Sequence, residues 1–356
     1  MNPLDNNRTL KRFNESRVAD SLSNLPRQLL AAWQQAKKLS LPKNCRQFDN
    51  LIFCGMGGSN LASELARAVF GSQIKKPVAI VRNYHLPAYA GSRTLVIITS
   101  YSGNTEEALS CLAEAVKNKC RIICIASGGK LAAKARQKKL PLFAINKSLN
   151  PSNQPRYDLG SQLGAVLGIL NKLQIIKIGN DEIAKIVKYL DLFGQRLGLN
   201  ILSDANPAKQ LALSLLNSNI YIIAAGHLAA NAHILANQFN ESAKNLAVGY
   251  KIPELNHHLL EGFSFPKAVK ADTKALFLFS PLYDQPIVKR FVVTEKVLGK
   301  QKIGTYVFKS RAKDKLLSAL ETVAFGGWTS YYLAVLNRQD PAQVPWVDYF
   351  KEELSK

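Results

Sequence analysis

An α/β fold of two doubly wound parallel-sheet domains, with an N-terminal helical preface and a C-terminal tail helix, is what this sequence predicts. Three observations predict it. Short apolar, β-branched runs alternate with amphipathic segments of helical period along most of the chain. The connections between them are short, as strand-helix units on one sheet require. A chain of 356 residues also exceeds one ordinary hydrophobic core, so two domains are the natural division.

Residues 6–43 read as helical, with Leu22, Leu25, Leu29, Leu30 and Trp33 at helical spacing, and 1–48 is taken as the preface. The first domain, 49–178, has strands predicted at 51–54, 78–81, 95–99, 121–126 and 142–145, with helices between most of them, including 60–70 and 106–117. A loop rich in Asn, Ser and Pro (146–156) ends at Arg156 and leads to a helix over 159–173. A helical linker fills 179–205. The second domain, 206–339, repeats the rhythm: helix 207–217, strand 220–224, helices 228–244 and 253–260, strand 275–279, helix 286–298, strand 303–308 and helix 315–336. Ala225-Gly226-His227 stands where Gly55 stands in the first half, which reads as an internal duplication with one degenerate site. Asp340-Pro341 breaks the long helix, and 340–356 holds a short tail helix over 344–356.

Two strand-to-helix turns carry the chemistry. After the run Leu51 to Cys54 comes Gly55-Met56-Gly57-Gly58-Ser59, where glycines permit close backbone approach and the new helix offers free N–H groups and its positive dipole end. After the run Leu95 to Thr99 comes Ser100-Tyr101-Ser102-Gly103-Asn104-Thr105, with three hydroxyls around one glycine just before a helix. Such a pair suits a phosphate monoester. Neither turn has the spacing of a dinucleotide fingerprint, and no Gly-Lys-Ser/Thr follows to make a P-loop. A single glycine-rich turn is also what any strand-helix connection needs. Two of them, the second crowded with hydroxyls, favour the anion-binding reading.

Composition narrows the class. Hydrophobic residues at 47% and charged residues at 20% belong to a globular protein, and no apolar stretch approaches the roughly 18 residues of a membrane span. The first 17 residues hold no apolar signal core, so a cytoplasmic location is expected. Five cysteines, all in the first half and without a Cys-x-x-Cys pair, read as reduced core thiols and neither a disulfide framework nor a zinc site. The formal charge of +22 invites a nucleic-acid reading. The basic residues are nevertheless spread along the chain without interleaved aromatics or a helix-turn-helix, zinc-finger or RNA-recognition signature, so specific nucleic-acid binding is not expected.

Taken together, Gly-Met-Gly-Gly-Ser (55–59), Ser-Tyr-Ser-Gly-Asn-Thr-Glu-Glu (100–107), the stretch around Glu241-Ser-Ala-Lys-Asn, Glu254-Leu-Asn-His-His and the tail pattern Pro-x-x-Asp-x-x-Lys (345–351) resemble the bifunctional phosphoglucose/phosphomannose isomerases. These are built from two sugar-isomerase (SIS) domains, and the resemblance covers nearly the whole chain. It implies an aldose-ketose isomerase that interconverts glucose 6-phosphate and fructose 6-phosphate, and also mannose 6-phosphate, through a cis-enediol. That chemistry needs a carboxylate base, an acid for ring opening and a positive or N–H-rich site for the enediolate oxygen.

The resemblance assigns Glu241 as the base and His257 as the ring-opening histidine, contributed by the neighbouring subunit of a homodimer. His258 beside it is left open as an alternative. Arg156 and the N–H of Gly58 correspond to the enediolate-stabilising pair, and Lys351 to the tail lysine that reaches the ring end of the substrate. Gly57, Gly58, Ser59, Ser100, Ser102 and Thr105 would hold the phosphate, with no cofactor and no metal. By residue type alone Glu241 would be an ordinary exposed helix glutamate and Lys351 a solvated tail lysine. His85, His227 and His233 have the ordinary reading of partly buried or surface histidines. A threonine that helps the family admit the C2 epimer has no counterpart in Asp340 to Trp346, where Gln343 stands nearby. The competing class is a non-catalytic sugar-phosphate-binding SIS regulatory protein. Its usual helix-turn-helix partner is not visible in the first 45 residues.

Overall fold

The structure, a computed structural model, describes residues 2–354 and Lys356. Met1 of the preface and Ser355 of the tail lie outside the described residues. The chain forms two compact units, one of residues 24–191 and one that joins 1–23 to 192–356.

The preface therefore does not stay whole. It breaks into α1 (Asn7–Arg12), α2 (Val18–Ser23) and α3 (Leu25–Lys38), and the division falls between α2 and α3. Each piece follows its own apolar face: Leu4, Leu10, Val18 and Ala19 are buried in one unit, and Leu29, Ala32, Trp33 and Ala36 in the other.

In the unit of 24–191, five strands follow: β1 (Asn50–Cys54), β2 (Val78–Val81), β3 (Thr94–Ser100), β4 (Arg121–Ala126) and β5 (Leu142–Ala144). Helices α4 (Gly58–Phe70), α5 (Glu106–Lys117), α6 (Gly129–Gln137) and α7 (Leu159–Lys172) alternate with or follow them. The sheet is wholly parallel in the order β2-β1-β3-β4-β5. β1 and β3 are buried almost throughout, as expected for central strands covered on both faces. Because β2 and β3 lie on opposite sides of β1, the chain reverses direction across the sheet there. The crevice beyond the carboxyl ends of β1 and β3 is the switch point at which such sheets bind ligands. α7 packs against α3, and Gly164 permits the close approach, since a Cβ there would lie 2.5 Å from the carbonyl oxygen of Leu29.

Helix α8 (Asn180–Gln195) crosses the division. The other unit then contains α9 (Pro207–Leu215), β6 (Asn219–Ala224), α10 (Ala229–Gln238), β7 (Ala247–Lys251), the one-turn helices α11 (Leu259–Gly262) and α12 (Val269–Asp272), β8 (Thr273–Phe279), α13 (Gln285–Lys300), β9 (Gly304–Lys309), α14 (Lys315–Leu336) and α15 (Pro345–Leu354). Its parallel sheet runs β7-β6-β8-β9, the same order as β2-β1-β3-β4. The duplication read from the sequence is thus present in the topology. β7 is additional to the predicted strands.

α14 forms the spine of this unit and is buried from Ser318 to Val335. The N-terminal arm is fastened to the same unit by Lys209, which is fully buried. Its ammonium donates to the carbonyls of Leu4 (2.6 Å) and Leu199 (3.1 Å), lies 3.3 Å from Asp5 Oδ1, and sits over the Tyr332 ring. A buried cation is tolerated because each of its donors meets an acceptor.

Candidate active site

The two turns singled out in the sequence fall at the carboxyl ends of the adjacent strands β1 and β3 and are tied to each other. Gly57 takes a positive φ of +48°, which lets the backbone double back into α4. Ser59, buried at the start of that helix, accepts a hydrogen bond on Oγ from the Tyr101 amide (2.9 Å). Its own hydroxyl proton remains available. Ser100 and Thr105 hydroxyls lie 2.9 Å apart, and Ser100 Oγ also accepts from the Gly103 amide (3.1 Å). Whichever of the two donates to the other, one hydroxyl proton is left over. Ser102 Oγ accepts from Asn104 N–H (3.2 Å) and is exposed, so its proton is also free to face solvent or an anion.

Thr105 caps α5 in position but its side chain makes no capping bond, which leaves the first-turn amides of α5 without that partner. Hydroxyl donors and a helix N-terminus at a switch point are groups of the kind that a phosphate cradle requires. A third loop, not noticed in the sequence, braces it. Leu131 N–H donates to Gly103 O (2.8 Å), Lys130 N–H to Asn104 Oδ1 (3.0 Å) and Ser127 N–H to Tyr101 O (3.2 Å). The glycine pair Gly128-Gly129, one residue beyond β4, is the available signal, since it repeats the glycines that follow β1 and β3.

The backbone of Arg156 comes to the same place. Arg156 lies in a short turn (Pro155–Tyr157) leading into α7, is only 3% exposed, and donates through Nη1 to Gln154 Oε1 (3.1 Å) while stacking over the Tyr157 ring at 4.9 Å. The turn abuts the first residue of α4, because a Cβ on Gly58 would stand 3.2 Å from Arg156 N and 3.3 Å from Pro155 C. Gly57, Gly58, Ser59, Ser100, Ser102, Thr105 and Arg156 thus all belong to one unit and one corner of it.

Glu241, His257 and Lys351 belong to the other unit and stand on three separate elements. Glu241 is half-buried, but the helix predicted over 228–244 is not regular. It begins as a 3-10 turn (Gly226–Leu228), continues as α10, and ends in a π-helical turn, Phe239–Ala243, closed by Lys244 in the left-handed conformation at φ +52°. π-turns recur at functional positions because they re-aim side chains from the helical rows. Lys244 is held by carbonyls of Ser242 and Asp340. His257 ends a 3-10 turn (Glu254–His257) and both it and His258 are exposed; Lys351 is exposed on α15.

The duplicated turn of this second unit is closed. Gly226 repeats the φ of +48° of Gly57, yet the Tyr283 ring stands 3.6 Å from where its Cβ would be. The Tyr283 hydroxyl accepts from Ala225 N–H (3.3 Å) and donates to Leu278 O (2.9 Å). His227 is buried beside it, 3.4 Å from Ser318 Oγ, and burial followed by the charge of Lys315 lowers its pKa to about 4. Among the described residues no group of three histidines, cysteines or carboxylates is placed to hold a metal ion, and no helix is long and apolar enough to cross a membrane.

The family profile described as the bacterial phospho-glucose isomerase C-terminal SIS domain matches residues 204–354. A bifunctional phosphoglucose/phosphomannose isomerase of Caldicellulosiruptor bescii is 31% identical over 339 residues, covering 95% of this chain and 98% of that protein. Its counterpart in Aquifex aeolicus is 29% identical over 320 residues, covering 89% and 93%. Among solved structures, a hypothetical protein of Thermus thermophilus superposes with a TM-score of 0.71 at 16% identity, over 98% of this chain and 93% of its own, and shares the fold.

Proposed function

The chain belongs to the bifunctional phosphoglucose/phosphomannose isomerase family, and from that premise we propose that it interconverts glucose 6-phosphate, mannose 6-phosphate and fructose 6-phosphate. The observation that carries the reading is the cradle at the ends of β1 and β3, where hydroxyls of Ser59, Ser102 and the Ser100–Thr105 pair converge with a helix N-terminus beside the buried Arg156. Such a set of donors suits a phosphate monoester, with the backbone of Arg156 against Gly58.

In this reading the phosphate anchors the hexose, and Glu241 moves a proton between C1 and C2. Arg156 and the Gly58 N–H hold the negative oxygen of the cis-enediolate, so charge that develops in the transition state meets donors already in place. His257, lent by the partner chain, opens the ring, and Lys351 reaches the ring end of the substrate. The exposure of His257 and of large apolar side chains around it and along the tail supports a homodimer. Phe265 is 73% exposed and Trp346 81%, and Phe350 and Leu354 follow Trp346 at helical spacing. The enzyme is read as cytoplasmic.

The test is conversion of fructose 6-phosphate without added metal, with deuterium from solvent entering C1 and C2. Glu241→Gln is expected to abolish turnover and exchange while leaving sugar-phosphate binding intact. Full activity in that variant refutes the base assignment. Tight binding by the unaltered protein with no exchange is the outcome of a regulatory protein. Mixing inactive Glu241→Gln with inactive His257→Ala protein should restore activity, because mixed dimers regain one complete set of residues.

A further inference from the structure

The turn that brings Arg156 to the phosphate cradle also brings a carboxyl that the catalytic scheme does not use. Asp158 is fully buried. Its Oδ1 accepts from Ser161 Oγ at 2.7 Å, and its Oδ2 has no hydrogen-bond partner among the described residues. It precedes α7 but its side chain caps no amide of that helix. Instead it closes the Pro155–Tyr157 turn, whose backbone abuts Gly58. Its amide donates to Pro155 O (3.1 Å), and Pro155 and Arg156 touch Gly58.

Tyr101, in the loop after β3, is within electrostatic reach of it, since the Asp158 charge adds to burial in raising the pKa of the Tyr101 phenol. This is the residue whose amide holds Ser59, and its phenol accepts from Asn150 Nδ2 (2.9 Å). Lys147, from the turn before Asn150, sits over the Tyr101 ring at 5.4 Å. On its own turn stands Arg156, and α3 presents the neutral Gln28, bonded to Tyr157 O (2.9 Å). A carboxyl with one hydrogen bond and no solvent is strongly disfavoured as an anion.

We propose that Asp158 is a positioning residue of the phosphate cradle that works as the neutral acid, and that its ionisation weakens the grip on the anionic substrate. A charge appearing there would oppose the phosphate and compete for the field of Arg156 and Lys147, while the hydroxyl donors of the cradle stay in place. The effect therefore falls on binding, and on turnover only so far as Arg156 also serves the enediolate. Burial, offset in part by Ser161 and Lys147, raises the pKa of Asp158 from 3.8 to about 7, which sets the transition near neutrality.

This inference rests on the isomerase reading for its assay, so the experiment separates the two. KM and kcat for fructose 6-phosphate are measured from pH 6 to 8.5 on the unaltered protein and on Asp158→Asn. Titration of the phosphate ester itself affects both proteins equally and cancels in the ratio of their KM values. That ratio should be near one at pH 6 and rise to about tenfold at pH 8.5, which is what one elementary charge exerts on another about 12 Å away at an effective dielectric of about 20. A KM ratio that does not change with pH, or a loss confined to kcat, overturns the proposal.

Should Asp158→Asn fail to fold, Lys147→Gln serves, since Lys147 is exposed. Loss of its charge should move the rise in KM to higher pH, and an unmoved profile counts against the proposal. If the unaltered protein turns over no fructose 6-phosphate, the isomerase reading fails. Calorimetric affinity for inorganic phosphate at pH 6 and 8.5, which needs no turnover, then decides the role of Asp158 by the same ratio.

Discussion

Replacing Gly103 with alanine should damage both the fold and the grip on phosphate, and the size of the damage follows from the packing of the cradle. Gly103 sits at φ +73°, a conformation that costs an L residue roughly 1–2 kcal/mol. A Cβ there would stand 1.9 Å from the carbonyl oxygen of Gly128 and 2.8 Å from its carbon, so backbone must move. Forced displacement of a packed segment adds roughly 1–3 kcal/mol, for a total of about 2–5 kcal/mol. The loop that must retreat is the one held by the Leu131, Lys130 and Ser127 amides, so the hydroxyls of Ser100, Ser102 and Thr105 lose their brace. A single charge-assisted hydrogen bond lost to the phosphate is worth roughly 1.5–3 kcal/mol, or a rise in KM of about tenfold or more. Urea unfolding and KM for fructose 6-phosphate are the readouts. Gly128→Ala is the control, because its backbone is extended at φ 163° and a Cβ there meets nothing within 4 Å. If Gly103→Ala matches that control in midpoint and KM, the account of how the three loops brace one another is wrong.

Other outcomes follow from the second unit. Lys209→Ala leaves Asp5 and two buried carbonyls without their cation and should cost roughly 3–5 kcal/mol in chemical denaturation, with the N-terminal arm becoming sensitive to protease. His227 has a folded-state pKa below its unfolded value of 6.5. Its neutral form therefore stabilises the fold fully above pH 6.5, and that stability is lost as pH falls toward about 4, a difference of roughly 3 kcal/mol. His227→Gln should flatten this acid limb of the unfolding curve. Asp158 has the opposite sign: stability is greatest below the unfolded value of 3.8 and falls as pH rises through about 7, by roughly 4 kcal/mol. Asp158→Asn should therefore be the more stable protein at pH 8, which unfolding at pH 5 and pH 8 would check.

How much of this could be read in advance depended on whether a residue's role was local. The strands of the first sheet were legible because Leu51 to Cys54 and Leu95 to Thr99 are apolar runs ending in glycine or hydroxyl turns, and central parallel strands need that composition. β7 was not legible. Ala-Val-Gly-Tyr-Lys at a sheet edge is partly exposed and has neither the alternation nor the apolar density that marks a strand. The break between α2 and α3 was hidden for another reason, since both carry apolar faces of similar period and only tertiary partners decide where each goes. The π-turn at Glu241 and the isolation of Asp158 are likewise tertiary. An aspartate before a helix looks like a cap, and only the structure shows that its side chain caps nothing.

The closed turn at Gly226 bears on how many sugars one polypeptide can hold. Tandem copies of an ancestral half should bind two equivalents, but at the second turn the Tyr283 ring packs against Gly226 and its hydroxyl takes the Ala225 amide, a donor that an ester would need. Saturation is therefore expected at a single equivalent per chain.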